Sequence, residues 1–213
     1  ENEVYVSYKI AICSLCFGFF YERNVKELIE THKRYCEKHG YDYICDKTVY
    51  DSRRPYSWYK IKLLQKYLEQ YDYILWIDSD AMITNYDIKL ETQLVSLMKE
   101  DDFLVISSDW NGLNAGVFLI KNTPKSFKFL EDVWNYNCDI YNNIWEQYAV
   151  QKLLKYEKEG VVILEKEKRK LLNSYDKDHN EDEAYWTEGD FIIHFAGLDK
   201  TNDSFNEIKN KYI

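Results

Sequence analysis

The sequence predicts an α/β protein in which helices pack on a layered sheet. Three observations predict it. Two strand-helix units follow one another early in the chain, a wholly apolar strand comes next, and no Pro/Gly-rich linker or internal repeat interrupts the 213 residues. A chain of this length with 46% hydrophobic residues supports one compact domain with a sizeable core.

Lys9 to Leu15 (KIAICSL) is a short apolar run read as a strand, and Cys16 to Tyr21 is read as a loop. Arg23 to His39 carries Val25, Leu28, Ile29, Tyr35 and Cys36 at helical spacing, with Gly40 as a stop. Tyr41 to Asp46 reads as the next strand. Ser57 to Gln70 reads as a helix capped by Ser57, with Ile61, Leu64, Tyr67 and Leu68 on one face. Tyr73 to Ile77 (YILWI) has no polar side, as a central strand buried on both faces requires. Leu90 to Lys99 looks helical, Phe103 to Ser107 is a strand, and Ala115 to Ile120 is a strand entered through the loop Asn111 to Asn114. Pro124 opens a helix with Phe127, Leu130, Val133 and Trp134 inward, and Glu146 to Tyr156 is another. Val161 to Leu164 and Phe191 to Phe195 read as strands, and the charged stretch Lys166 to Glu188 as mostly loop.

A net charge of −9 without a long basic run excludes a nucleic-acid or anionic-membrane surface, because both require clustered Lys and Arg. No apolar stretch reaches the roughly 20 residues that span a bilayer, and no signal-peptide pattern opens the chain. Five scattered cysteines fit no disulfide framework and predict a reducing, cytoplasmic setting. The CxxC pair Cys13 and Cys16 lacks the second pair of a zinc site. Aromatic residues make up 17% of the chain, including 20 Tyr and 6 Trp. They suit either the core or half-wet, sugar-facing clefts.

The chemistry concentrates in Ile77 to Asp80 (IDSD), which places two carboxylates just after a buried strand. In open α/β sheets ligands bind at the carboxyl ends of strands, so both acids reach the expected cleft. Hard oxygen donors suit Mg²⁺ or Mn²⁺ shared with phosphate oxygens. On its own the triplet is equally a polar turn.

Together, WYKIKLLQKYL, YDYILWIDSDAMI, DWNGLNAGVFLIKN, EQYAVQKLL and GDFIIHFAG, in that order over about two-thirds of the chain, resemble glycosyltransferase family 34. Its members are galactosyl-, xylosyl- and mannosyltransferases of GT-A fold. Without an anchor, the chain is similar to such domains encoded by large DNA viruses of algae. The resemblance implies a single GT-A domain over residues 1–213, with a mixed, mostly parallel central sheet. Residues 1–110 would be a Rossmann-like nucleotide-binding half, and residues 111–213 the donor-sugar and acceptor half.

Residue by residue, the resemblance makes Asp80 the more direct metal ligand, Asp78 shared between metal and ribose with Ser79 beside it, and His194 the third ligand. Imidazole in the set favours Mn²⁺ over Mg²⁺. Asn114, Ala115 and Gly116 would form a turn that lets backbone approach the donor sugar, and Gln147 would sit beneath its anomeric carbon. Ser14 would hold the nucleoside and Glu146 a sugar hydroxyl, where the family has an aspartate. Lys60, Gly197 and Lys200 would lie near the donor, Lys200 on the diphosphate. Leu198 and Asp199 depart from the plant pattern here. Lys60 is alternatively a solvated helix lysine, and Asn111-Gly112 a simple hairpin turn. His32, His39 and His179 read as surface or helix-end residues.

The implied reaction is transfer from a UDP-sugar to a glycan or glycoprotein acceptor with retention of configuration. Inversion would need a carboxylate base, for which Asp190 and Asp109 are the candidates. Two rivals are a phosphatase of the haloacid-dehalogenase type, with a nucleophilic first aspartate, and a catalytically silent sugar-nucleotide or glycan-binding module.

Overall fold

The computed structural model describes residues 7–178 and 184–213. In chain order its elements are β1 (Ile10–Ser14), α1 (Phe19–His39), β2 (Asp42–Cys45), α2 (Tyr59–Tyr67), β3 (Tyr73–Ile77), β4 (Ala81–Ile83), α3 (Leu90–Gln93), β5 (Leu104–Asp109), β6 (Gly112–Lys121), α4 (Pro124–Trp134), α5 (Glu146–Tyr156), β7 (Val161–Leu164), β8 (Ser174–Tyr175), β9 (Ile192–His194) and α6 (Ser204–Lys209). The main sheet has the order β2-β1-β3-β6-β5-β7, and a small one the order β4-β9-β8. In the main sheet β1 pairs in parallel with β2 and β3, and β5 with β7, while β6 runs antiparallel to both its neighbours. The sheet is therefore mixed and mostly parallel, as predicted.

The apolar run of β3 is explained by burial on both faces. Ile74 and Trp76 join the core under α2, α4 and α5, whereas Tyr73, Leu75 and Ile77 join the core shared with α1, α3 and β4. A third cluster joins α1 to the C-terminal segment through Val25, Leu28, Phe195 and Phe205. Because successive strand residues face opposite ways, one sequence run supplies two cores.

Several expectations are corrected. Helix α1 starts at Phe19, two residues before the predicted loop ends, and Gly18 precedes it at φ 96° with no side-chain cap to announce the start. Ser57 is no N-cap: it lies inside a 3-10 turn, Tyr56–Trp58, that leads into α2. The predicted helix from Leu90 to Lys99 is one α turn followed by a 3-10 turn over Val95–Leu97. The stretch Gly112–Asn114 is not loop but the start of β6, whose partner β5 sets Asp109 opposite Gly112. The hairpin loop is therefore Trp110–Asn111, one residue earlier than expected. His32 is fully buried, with Nε2 2.7 Å from the Ala81 carbonyl oxygen, because α1 lies across β4. His39 ends α1 as expected, and His179 lies outside the described residues. Among those residues no helix is long and apolar enough to cross a membrane.

Candidate active site

The carboxyl ends of β1, β3 and β5 and the start of β6 open on one cleft of about 990 Å³. Strand β3 delivers Asp78, Ser79 and Asp80 to it. The backbone holds this turn at both ends, through Asp78 N–H on the Gly116 carbonyl (2.8 Å) and Phe195 N–H on the Asp80 carbonyl (3.0 Å). Pairing of β4 with β9 sets His194 opposite Ala81, so a residue more than a hundred positions away arrives beside Asp80.

Asp78, Asp80 and His194 each offer a ligand atom within 4.8 Å of the others. Two carboxylates and an imidazole fit a small divalent cation. The remaining contacts agree with that use. The Trp76 indole (2.7 Å) and Lys60 (3.1 Å) both donate to Oδ1 of Asp78, which leaves Oδ2 for a cation. His194 Nε2 faces Oδ1 of Asp80 at 3.3 Å, and its Nδ1 lies 3.3 Å from the Asn173 amide. Asn173 Oδ1 is buried without a partner. The same amide nitrogen donates to Tyr175 Oη at 3.0 Å, so a braced side chain holds the imidazole with Nε2 turned toward Asp80. Gly116 is required for the same reason. A Cβ there would lie 2.3 Å from His194 Cε1, so the glycine makes room for the imidazole.

Charge in the cleft is neutralised by two buried lysines. Lys60 is 3% exposed and touches Asp78, Glu146 Oε1 (2.7 Å) and the Ala115 carbonyl (2.8 Å), which rules out a solvated lysine. Burial works against its charge, but Asp78 and Glu146 outweigh burial and raise its pKa. Glu146 is itself shifted upward, by burial, with Lys60 pulling the other way; its Oε2 has no partner. Lys200 lies 2.6 Å from Asp80 Oδ2. Burial alone would raise the Asp80 pKa, but Lys200 and His194 hold it far below the usual carboxylate range.

A bulge between β5 and β6 carries Asn114, Ala115 and Gly116 toward the cleft, so the expected turn is an irregular piece of strand. Gln147 lines the cleft, its carbonyl oxygen accepting from Ala115 N–H at 2.8 Å. Gly197 also lines it, at φ 77°, a conformation that favours glycine. Two expected residues stand off the cleft, and a third reaches it with its oxygens engaged. Ser14 is fully buried inside β1 and does not line the cleft, where Leu15 and Phe17 stand instead. Asp190 lies outside, accepting from Thr187 N–H (2.7 Å) and pairing with Lys170 (2.9 Å). Asp109 reaches the cleft with its oxygens engaged, Oδ1 by Asn111 N–H (2.7 Å) and Oδ2 by Asn114 (2.8 Å) and Tyr175 (3.1 Å). These contacts tie it to the hairpin and to β8.

Sequence reasoning missed Asn173 and Tyr175, which β8 inserts beside His194 from the stretch read as loop. It also missed Trp145, whose backbone at φ 47°, ψ −124° is strained by about 1–3 kcal/mol. That kink leaves Trp145 at the surface while Glu146 turns into the protein.

The fold is that of the GT-A glycosyltransferases. A solved glycosyltransferase involved in glycosylation of the major capsid of PBCV-1 superposes with a TM-score of 0.72 at 18% identity, covering 95% of this chain and 99% of that one. The galactosyltransferase LgtC, solved with donor and acceptor sugar analogs, gives 0.51 at 15% identity over 96% of each chain. The chain belongs to the galactosyl transferase GMA12/MNN10 family, whose model matches residues 20–100 and 94–204. An alpha-1,2-galactosyltransferase of Schizosaccharomyces pombe is 27% identical over 81% of this chain and 56% of its own length. Galactomannan galactosyltransferase 1 of Cyamopsis tetragonoloba is 31% identical over 47% of this chain and 25% of its own. The chain thus spans about half the length of the first of these relatives or less. This membership sets aside the phosphatase reading.

Proposed function

We propose that the protein transfers a hexosyl or pentosyl group from a UDP-sugar to a glycan acceptor, with Mn²⁺ or Mg²⁺ and with retention of configuration. The observation that carries this is the convergence of Asp78, Asp80 and His194 in a cleft that also holds Lys60, Glu146 and Gln147. When bound, the cation supplies neutralising charge for the departing diphosphate. Asp78, Asp80 and His194 would hold it. Lys200 stands beside Asp80, where a diphosphate oxygen would compete for its ammonium. The unpartnered Oε2 of Glu146 is an acceptor for a donor-sugar hydroxyl. Gln147 would lie against the anomeric centre, its dipole fixed by Ala115 N–H. Retention is supported because Asp190 stands outside the cleft and Asp109 is committed to its donors.

The test is UDP-sugar hydrolysis and transfer with and without Mn²⁺, for the wild type and Asp80→Ala, with the product anomer read by NMR. Metal-dependent turnover lost in a folded Asp80→Ala protein is expected. An inverted product would remove the role given to Gln147, and turnover indifferent to both metal and Asp80 would sink the reading.

A further inference from the structure

The cleft carries aromatic side chains at both ends, and the order of strands beneath it says what each end is for. Along the open edge the strands run β1, β3, β6, β5. Neighbouring strands lie about 4.8 Å apart, so β1 and β5 are separated by about 14 Å. Over β1 stand Leu15 and Phe17, the latter stacked on Tyr56 with ring centroids 4.4 Å apart. This end is apolar and flat, as a nucleobase requires. Over β3 stand the acids for the diphosphate. Over β6 come Ala115, Gly116, the orphaned Glu146 oxygen and Gln147, a polar set matched to sugar hydroxyls. The donor is then laid out from β1 to β6, and the next station is the β5–β6 hairpin and the start of α5.

That station presents two tryptophans. Trp110 is 66% exposed at the two-residue tip of the hairpin, and Trp145 is 47% exposed just before α5; both line the cleft. What sets these two apart is that they share one end of the cleft, and the backbone at Trp145 is strained to hold its side chain there. The two elements are tied together, since Gln151 of α5 donates to the Asn111 (2.8 Å) and Leu113 (3.0 Å) carbonyls. The platform is thus fixed relative to Gln147, one helical turn away on α5.

We propose that Trp110 and Trp145 form the acceptor subsite and bind a pyranose ring through its C–H face. The axial C–H bonds of such a face carry partial positive charge and meet the negative face of an indole, while Asn111 and Asn143 at the same end of the cleft offer amides to its hydroxyls. An acceptor held there would place a hydroxyl toward the donor sugar over β6. This assignment rests on the donor layout proposed above, but it fails separately from it.

The experiment is saturation-transfer NMR on the protein with UDP and diamagnetic Mg²⁺, using methyl β-galactoside, methyl β-glucoside and methyl α-mannoside as probes. At least one is expected to be saturated on its ring-face protons, and the signal is expected to fall about tenfold in Trp110→Ala and in Trp145→Ala. The ratio of transfer to hydrolysis for the same UDP-sugar should fall by a similar factor. Should Trp145→Ala not fold, Trp110→Ala at the exposed hairpin tip supplies the test alone. Saturation of no probe, undiminished saturation in the variants, or an unchanged transfer-to-hydrolysis ratio overturns the subsite. Capture of a Ser/Thr peptide in place of all three glycosides overturns it as well. Failure of the wild type to bind UDP with Mg²⁺ would instead overturn the donor layout beneath it.

Discussion

Gly116→Ala tests the metal centre through a contact that no sequence motif describes. An added Cβ would lie 2.3 Å from His194 Cε1, 3.0 Å from its Nε2 and 3.0 Å from Asn114 Oδ1. Carbon atoms rest about 3.5–4.0 Å apart, so the imidazole must retreat by more than about 1 Å. Metal-ligand distances tolerate about 0.2 Å, so His194 cannot stay within reach of a cation shared with Asp78 and Asp80. Overpacking of this kind destabilises by about 1–3 kcal/mol, which for a chain of this size lowers Tm by roughly 2–12 °C. Mn²⁺ affinity, measured by titration calorimetry, should fall at least about tenfold, with circular dichroism confirming the fold. A Gly116→Ala protein with wild-type Mn²⁺ affinity and wild-type Tm would refute both the role of His194 and the reason for the glycine.

Lys60→Met leaves Asp78 and Glu146 without their buried counter-ion and should cost about 3–5 kcal/mol in urea denaturation; adding Glu146→Gln should recover part of it, and additive losses would refute the coupling. His32 is buried neutral: burial pushes its pKa from 6.5 down to about 4, against the opposing pull of the Ala81 carbonyl and Asp80. Below pH 6.5 the unfolded chain takes up a proton that the folded one refuses, so stability is full above that pH and falls by about 3 kcal/mol as pH drops to about 4. His32→Gln should flatten this part of the pH profile, and an unchanged profile would count against the assignment. Burial also pushes the thiols of Cys13, Cys16 and Cys36 up, the last two to about 12. Ellman's reagent should therefore find no more than two of the five thiols, Cys45 and Cys138, before denaturation and all five after it.

Much of this protein was legible in one dimension. Periodicity placed β3, α4, α5 and β7 at or within a residue of where they lie, because an apolar run or stripe reports burial directly. The acidic triplet was legible because a buried parallel strand must deliver whatever follows it to the sheet edge. The resemblance carried His194, Glu146 and Lys200 to the same cleft. It also misplaced Ser14, because a motif preserves spacing along the chain but not the direction in which a side chain points.

Tertiary structure alone decided the rest. The pairing of β4 with β9 made Asp80 and His194 neighbours, and β8 brought Asn173 to hold the imidazole from a stretch too charged and irregular to predict. Gly116 owes its identity to an imidazole 78 positions away in sequence, at 2.3 Å from where a Cβ would lie. Residue types and local periodicity are properties of short windows, so sequence determined the elements and the chemistry on offer. Which groups meet depends on strand order and register, fixed by long-range packing that no window contains.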